Sequence, residues 1–252
     1  MLDPELNTPA PADPKRPARL WQMRDLVIGV GLLLMGYAAV IAAVVVLASL
    51  GDPDTDSSVA LGVAVVTLGF EVWLGAIVLI LATNRRLTLP QLGFLWPGST
   101  AAWWIPATVV GAYAIVLAYG LAILLIEEVT GADLGRLVEG NALPRSDAYT
   151  DAVWLALGLS VVVAAPLGEE LFFRAFLFRA FAARWGLVAG MITSGALFAL
   201  VHFEVSVVLP FWVIGMWFAW TYHRSGSLWT TIAAHAIFNG ISFAVTVSGV
   251  TT

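Results

Sequence analysis

Long apolar runs alternate with short polar segments along most of the chain. Each run has about 16–25 residues, against roughly 20 that a helix needs to cross the hydrocarbon of a bilayer. Runs this continuous indicate helices, because only helices and closed barrels leave no backbone group unpaired in lipid. We therefore predict an all-α polytopic membrane protein with seven transmembrane helices. The seven runs are Leu26–Leu50, Val59–Thr83, Trp103–Ile126, Ala152–Leu167, Leu187–Phe203, Ser206–Tyr222 and Leu228–Val247.

One further apolar segment, Leu171–Trp185, carries three arginines, and its relation to the bilayer is ambiguous. It is either the cytoplasmic continuation of the fourth span or a separate interfacial helix. Eight spans are therefore the alternative to seven.

The composition agrees with a membrane protein and excludes several other classes. The chain is 60% apolar and 12% charged, whereas soluble proteins are about 45–50% apolar and about 25% charged. A soluble enzyme, a disordered chain and a nucleic-acid binder are excluded as descriptions of the whole chain. The net charge of −5 further disfavours nucleic acid as a partner. Because there are no cysteines, thiol nucleophiles and thiolate metal sites are excluded as well.

The distribution of charge predicts the orientation and four regions. If the spans alternate, most basic residues fall on one side, and the positive-inside rule puts the N-terminus in the cytoplasm and the C-terminus outside. Residues 1–24, rich in proline and charge, are predicted to form a disordered cytoplasmic tail. Residues 25–126 form a three-span part, 127–151 an acidic external loop, and 152–252 a second membrane part. No internal repeat is visible, which disfavours the transporters built from inverted repeats.

Ionisable side chains inside the spans are the candidate functional residues, since each costs about 2.5–3.5 kcal/mol on insertion scales. The first membrane part has one, Glu71, which either pairs with a polar group elsewhere in the bundle or lines a substrate path. The second part concentrates them. It contains Glu169, Glu170, Arg174, His202 and His235, together with the amide of Asn239.

The spacing of the charged residues near position 170 predicts an ion pair and a free carboxyl group. Glu170 and Arg174 are four residues apart and share a helix face. Glu169 points about 100° away on an ideal helix, so it has no partner in its own helix and can act as a general base. The alternative is that both glutamates lie at a helix end in the headgroup region.

The histidines and Asn239 add hydrogen-bonding groups on two other helices. His235 and Asn239 are four residues apart and share a face, so their donors can converge on an oxyanion. The alternative for this pair is packing between helices, and for His202 an interfacial position. Together, one glutamate, two histidines and one asparagine are what activating a water and stabilising an oxyanion requires.

The three motifs EExxxR, FxxxH and HxxxN, in this order, resemble the CAAX-protease and bacteriocin-processing (CPBP) family of intramembrane endopeptidases. The resemblance covers roughly residues 150–245. The matching residues are Glu169, Glu170, Arg174, Phe198, His202, His235 and Asn239.

The resemblance implies a catalytic site within the membrane and hydrolysis of peptide bonds, which makes residues 152–252 the catalytic part. Glu169 is then the base that activates water, assisted by His202. His235 and Asn239 hold the oxyanion, while Glu170 and Arg174 support the site. The implied partners are a peptide or membrane-protein substrate, lipidated in some members of the family, and the lipid bilayer.

Alternatives remain for the cofactor and for the function. No HExxH zinc motif and no pair of intramembrane aspartates occurs, and we favour a site without a metal. The alternative is a divalent metal held by Glu169, His202 and His235. For function, the alternatives are a non-catalytic membrane binding or immunity protein of the same fold, or a transporter of small solutes.

The depths of the two histidines disagree in this prediction. At the helical rise, His202 lies about 22 Å from Leu187, whereas His235 lies only about 10 Å from Leu228. If both helices begin at the same membrane surface, the histidines cannot reach one level. A turn submerged in the membrane after the fifth helix is one solution.

Overall fold

The computed structural model describes residues 20–138, 146–147 and 149–248. Within these ranges the chain is helical with no strand, which confirms the all-α polytopic membrane fold. Short helical turns at Leu89–Leu92 and Ser99–Ala102 precede the third long helix. The long helices are α1 (Met23–Ala48), α2 (Ser57–Asn84), α3 (Trp104–Thr130), α4 (Asp151–Trp185), α5 (Leu187–Leu200), α6 (Val205–Ser225) and α7 (Leu228–Ser248).

Six of these helices are long and apolar enough to cross a membrane, and α5 is the shorter one. It has 14 residues, which corresponds to about 21 Å. The apolar run predicted to extend to Phe203 leaves the helix after Leu200 and makes a turn before α6. The total of seven spans therefore stays a prediction, although each predicted run falls on one of the seven helices.

Helix α4 continues without interruption for 35 residues, so Leu171–Trp185 is the continuation of the fourth span. Two stretches of α4 have the wider π-helical turn, Leu159–Ala164 and Glu170–Phe178. Such wide turns occur frequently at functional sites. The second stretch is also the centre of the core, since all nine of its residues are buried.

The ends of the helices resolve the disagreement in depth between the histidines. The backbone N–H of Leu228, where α7 begins, donates to the carbonyl of Gly93. Nearby, the Tyr222 hydroxyl donates to Leu92 and lies 3.4 Å from Arg179. Helix α7 thus begins at the level of Arg179, whereas α5 begins beyond the end of α4, six residues or about 9 Å further along. The two helices start at different levels, and both histidines reach the same cavity.

The boundaries of the predicted tail and of the predicted acidic loop differ from the structure. Residues 20–24, assigned to a disordered tail, are folded: Trp21 is buried and its Nε1 donates to the carbonyl of Ala175 at 2.8 Å. Helix α3 extends to Thr130 and includes the first residues of the predicted acidic loop. The rest of the tail (1–19), residues 139–145 and 148 of the loop, and residues 249–252 lie outside the described residues.

Candidate active site

A cavity of about 480 Å³ lies between α2, α3, α4, α6 and α7, and the end of α5 contributes to its wall. It brings together side chains that are more than 160 residues apart in the chain. Of the residues singled out in the sequence, Glu71, Glu169, Arg174, His202, His235 and Asn239 line it. Glu170 lies behind this wall and is fully buried.

The imidazole of His235 lies between the two adjacent glutamates of α4. Its Nδ1 is 2.9 Å from Glu170 Oε1, and its Nε2 is 3.7 Å from Glu169 Oε2. The expectation that the carboxyl groups face different directions is therefore incomplete, because both reach one side chain of another helix. The π-helical turn that begins at Glu170 is wider than an α-helical turn, and this departure is not visible in the sequence.

Glu170 is shared between His235 and Arg174. Arg174 Nη1 lies 3.0 Å from Glu170 Oε1, and both side chains are almost fully buried, at 1% and 0% exposed. The predicted ion pair is thus confirmed. The guanidinium also lies over the rings of Phe198 and Phe218, at 4.5 and 5.2 Å from their centroids. Contact with aromatic faces stabilises a desolvated cation, so the charge of Arg174 is balanced by groups from three helices.

The hydrogen bond to Glu170 determines which nitrogen of His235 faces Glu169. An ionised carboxylate only accepts hydrogen bonds, so Nδ1 carries the hydrogen and donates to Glu170. Nε2 is then directed toward Glu169, at a distance too long for a direct hydrogen bond. Glu169 Oε2 is buried and has no hydrogen-bond partner within the described part of the chain. Among the described residues, Glu169 Oε2 is thus an unpaired carboxyl oxygen in the cavity wall; Oε2 of Glu71 and of Glu170 are also without a hydrogen-bond partner.

His202 enters the cavity from the turn that follows α5. Its Nδ1 lies 2.7 Å from the carbonyl of Phe198, which can only accept, so Nε2 is left as an acceptor. The ring packs edge-on against Phe211 at 4.7 Å. The preceding residue, Val201, accepts a hydrogen bond of 2.8 Å from the hydroxyl of Tyr37. Helix α1 thereby holds the turn that carries His202, a contribution that the motifs do not reveal.

Asn239 links α7 to the first π-helical stretch of α4. Its Nδ2 donates to the carbonyl of Val161 at 2.9 Å. An amide has two N–H donors, so one is used in this link and the other is available to the cavity. The predicted role of His235 and Asn239 in holding an oxyanion stays a prediction.

Glu71 is the functional candidate that lies outside the three motifs. It is buried in the cavity wall contributed by α2, and its Oε2 has no hydrogen-bond partner among the described residues. Helix α2 approaches closely here because Gly168 packs against the backbone carbonyl of Glu71, which a Cβ at position 168 would overlap. The position in the wall favours the interpretation that Glu71 lines a path. In the sequence, Glu71 was a functional candidate only because it is an ionisable residue within a predicted span.

The residues that could bind a metal are not arranged as a ligand set. Within the described residues, no group of three or more histidine, aspartate or glutamate side chains has the geometry to hold an ion. This applies to the alternative set Glu169, His202 and His235. The prediction of a site without a metal stays a prediction.

Comparison with known proteins agrees with the motifs. Residues 151–241 match the model of a family described as type II CAAX prenyl endopeptidase Rce1-like. The predicted resemblance to the CPBP family is confirmed. The matched segment contains every residue of the three motifs and ends two residues after Asn239.

One curated relative supports the same assignment. A Bacillus subtilis (strain 168) protein named "Putative membrane peptidase YdiL" is 27% identical over 103 residues. The alignment spans 40% of this chain and 42% of that protein, so the chain covers less than half of the relative's length. No solved structure matches the chain.

Proposed function

We propose that this protein is an intramembrane endopeptidase that hydrolyses peptide bonds with a water activated by Glu169. The observation that carries the proposal is the buried Oε2 of Glu169, which has no hydrogen-bond partner among the described residues and faces His235 in the wall of the cavity. This arrangement lies within the segment that matches an endopeptidase family. It supports the glutamate mechanism because a base needs a free lone pair within reach of the water it deprotonates.

The proposed reaction uses the cavity residues in sequence. Glu169 accepts a proton as water attacks the scissile carbonyl carbon, and His202 orients the water with its Nε2. The second N–H of Asn239 donates to the oxyanion, and His235 does so when Nε2 is protonated. As the C–N bond breaks, the proton held by Glu169 passes to the leaving amine. Glu170 keeps His235 in place, and Arg174 holds Glu170.

The same proposal includes an orientation in the membrane. Arginines cluster at one end of the bundle, which we call the arginine end: Arg24 lies in the first turn of α1, and Arg224 in the last turn of α6. Arg85 pairs with Asp25 at 2.8 Å, and Arg184 donates to the carbonyl of Trp21. By the positive-inside rule the arginine end faces the cytoplasm, with the N-terminus cytoplasmic and the end of α7 external.

The proposed partners follow from the site. The substrate is a peptide or a segment of a membrane protein that reaches the cavity within the bilayer, with or without an attached lipid. Nucleic acid is not a proposed partner. Neither a metal nor another cofactor is required by the proposed steps.

The test compares new protein termini in host membranes that contain the wild type, Glu169→Gln or Glu128→Gln at equal expression. Glu128 is an exposed carboxylate near the end of α3, so its variant makes the same chemical change away from the cavity. We expect termini with the wild type and Glu128→Gln that are absent with Glu169→Gln. Removal of a general base typically lowers the rate by about 10²–10⁴-fold. Identical termini in all three membranes would instead favour the non-catalytic binding protein.

A further inference from the structure

We propose that Glu71 forms a binding site for an ammonium group of the peptide that occupies the cavity. The inference rests on the proposed function above and narrows its substrate to an apolar peptide segment with an ammonium group next to the cleaved bond. Two groups satisfy this description: the side chain of a lysine, and the α-amine that cleavage itself releases. Both carry one positive charge and three N–H donors when protonated.

The carboxyl group of Glu71 is buried without a polar partner. Only 8% of the residue is exposed, and its Oε2 has no hydrogen-bond partner among the described residues. No ion pair joins it to a basic side chain in the described part of the chain. A carboxylate within a membrane span is costly unless a cation compensates its charge. A cation that comes with the substrate would offset this cost.

The cations of the cavity are already engaged elsewhere. Arg174 Nη1 and His235 Nδ1 both lie against the same oxygen of Glu170, at 3.0 and 2.9 Å. His202 donates from Nδ1 to a backbone carbonyl, so its Nε2 is an acceptor. Glu71 therefore adds a negative charge that these side chains do not match. Such a charge attracts a cation strongly in surroundings of low dielectric constant.

The contact between α2 and α4 places Glu71 at the level of the proposed base. The backbone carbonyl of Glu71 packs against Gly168, where a Cβ would overlap it. Gly75, one turn further along α2, faces the Cα of the same glycine. Because Glu169 follows Gly168 directly and both glutamates line the cavity, a group held by Glu71 lies beside the bond that Glu169 is proposed to attack through water.

A second acceptor lies one turn before Glu71 on the same face of α2. Thr67 also lines the cavity, and its hydroxyl donates to the carbonyl of Val63 at 3.0 Å. The hydroxyl hydrogen is thereby used, and the lone pairs of the oxygen remain as acceptors. A carboxylate and a hydroxyl oxygen spaced by one helical turn suit an ammonium group, which has several donors to satisfy.

Other ligands fit this part of the wall less well. A backbone N–H carries no charge and so does not compensate the carboxylate. For a metal ion, no three histidine, aspartate or glutamate side chains are suitably placed within the described ranges. Opposite the carboxyl groups the cavity is largely aliphatic and aromatic, with Val116, Ile214 and Phe238 among its lining residues. Apolar walls of this kind bind the apolar remainder of a peptide.

The two sources of the ammonium group give Glu71 different roles in the reaction. A lysine side chain is bound before cleavage, so that Glu71 selects the substrate. The α-amine exists only after the C–N bond has broken and the proton held by Glu169 has passed to the nitrogen. This amine takes up one further proton from the solvent and becomes the ammonium group that the Glu71 carboxylate binds.

Binding of short peptides to the purified full-length protein tests the proposal without cleavage. The first pair of probes is trileucine amide with a free α-amine, which is mostly protonated at pH 7, and its N-acetylated form. The second pair is N-acetylated trileucine amide with the central leucine replaced by lysine or by norleucine. Titration calorimetry in detergent gives the dissociation constants for the wild type, Glu71→Gln and Glu128→Gln. Glu128 is exposed near the end of α3, so its variant is the matched control.

We expect the wild type to bind an ammonium peptide about 10-fold or more tightly than the uncharged member of its pair, because hydrogen bonds to charged groups are the stronger ones. Glu71→Gln keeps the shape of the side chain and loses this preference, whereas Glu128→Gln retains it. A preference within the first pair identifies the α-ammonium group as the ligand. A preference within the second pair identifies the lysine side chain, and a preference within both identifies a site that accepts either.

Equal binding within both pairs by the wild type overturns the proposal. A preference that survives in Glu71→Gln also overturns it, as does an absence of binding by all the peptides. The unfolding midpoint shows whether Glu71→Gln is folded. If it is not, Glu71→Asp decides: this change withdraws the carboxylate by one methylene and must reduce the preference, and an unchanged preference contradicts the proposal.

The peptide titration and the comparison of protein termini fail independently. A wild type that binds the ammonium peptides but produces no new termini contradicts the proposed function and leaves the site at Glu71 standing. New termini that depend on Glu169, together with equal binding of charged and uncharged peptides, contradict the site at Glu71 alone.

Discussion

The two halves of the helix bundle, which meet at Glu169 and Arg174, differ in architecture. Toward the arginine end, the buried phenylalanines of α4 pack against α1, α2 and α5 in a continuous core. Toward the opposite end, where α4 begins and α7 ends, α4 instead borders the cavity that contains the candidate catalytic glutamates and histidines. The packed core lies mainly in one half of the bundle, and the candidate catalytic residues line the cavity in the other. Changes in the packed half should alter the unfolding free energy, and changes in the open half should alter activity.

The largest effect on stability is expected at the boundary, for Arg174→Met. The change leaves the buried Glu170 carboxylate without its cation, and breaking a buried ion pair in this way costs about 3–5 kcal/mol. Arg224→Met is the control, because Arg224 is exposed at the arginine end. Thermal unfolding in detergent measures both. Equal midpoints for the two variants would mean that the ion pair does not hold the boundary together.

A smaller loss is expected for Gly168→Ala, which tests the contact between the two membrane parts. The added Cβ overlaps the carbonyl of Glu71, and overpacking typically costs about 1–3 kcal/mol. The same change at Gly69 on α2 meets no atom of the described residues within 4 Å, and replacing a helical glycine by alanine there should stabilise by about 0.5–1 kcal/mol. Opposite shifts in the unfolding midpoint are the expected result. Shifts of the same sign would contradict the close packing at Gly168.

A still smaller effect is expected for Tyr37→Phe, which removes the hydrogen bond from α1 to the turn that carries His202. The lost bond to Val201 is worth about 0.5–1.5 kcal/mol. Because the turn positions His202, we expect a clear fall in the rate of cleavage, while the free energy of unfolding falls only by this small amount. The appearance of the termini found in the wild-type comparison measures the rate. A variant with wild-type cleavage and reduced stability would restrict Tyr37 to a packing role.

The smallest effect is expected from removal of metal ions. If Glu169 activates water without a metal, incubation of purified protein with a strong chelator leaves the rate of cleavage unchanged. Activity that disappears with the chelator and returns with zinc would support the alternative ligand set of Glu169, His202 and His235. The unfolding midpoint, measured in parallel, separates loss of a metal from loss of the fold.

The features that could be predicted from the sequence are the helices, which follow from apolar periodicity, and the buried ion pair, which follows from the cost of burying a charge. The apolar runs fall on the seven helices, and the four-residue spacing of Glu170 and Arg174 gave the ion pair correctly. Both predictions use local geometry, which the regular helix determines. The same reasoning identified Glu169 as the carboxyl group without a partner in its own helix, and its Oε2 has no hydrogen-bond partner in the ranges that the structure describes.

What the sequence did not predict depends on contacts between helices. The position of His235 between two adjacent glutamates depends on the approach of α7 to α4 at the start of a wide turn. The level of His202 depends on how far α4 extends before α5 begins. The burial of Trp21 depends on a carbonyl more than 150 residues away. None of these follows from spacing within one helix, because each is determined by where another helix begins or packs.

The carboxylate of Glu170, shared between Arg174 and His235, has a consequence for biosynthesis. The glutamates enter the membrane with α4, whereas His235 arrives only with α7, after two intervening helices have been made. A partly synthesised chain therefore carries the carboxyl groups without the imidazole that organises them. The proposed hydrolytic centre is complete only once α7 has docked, so we expect a nascent chain to be inactive while it is being translated.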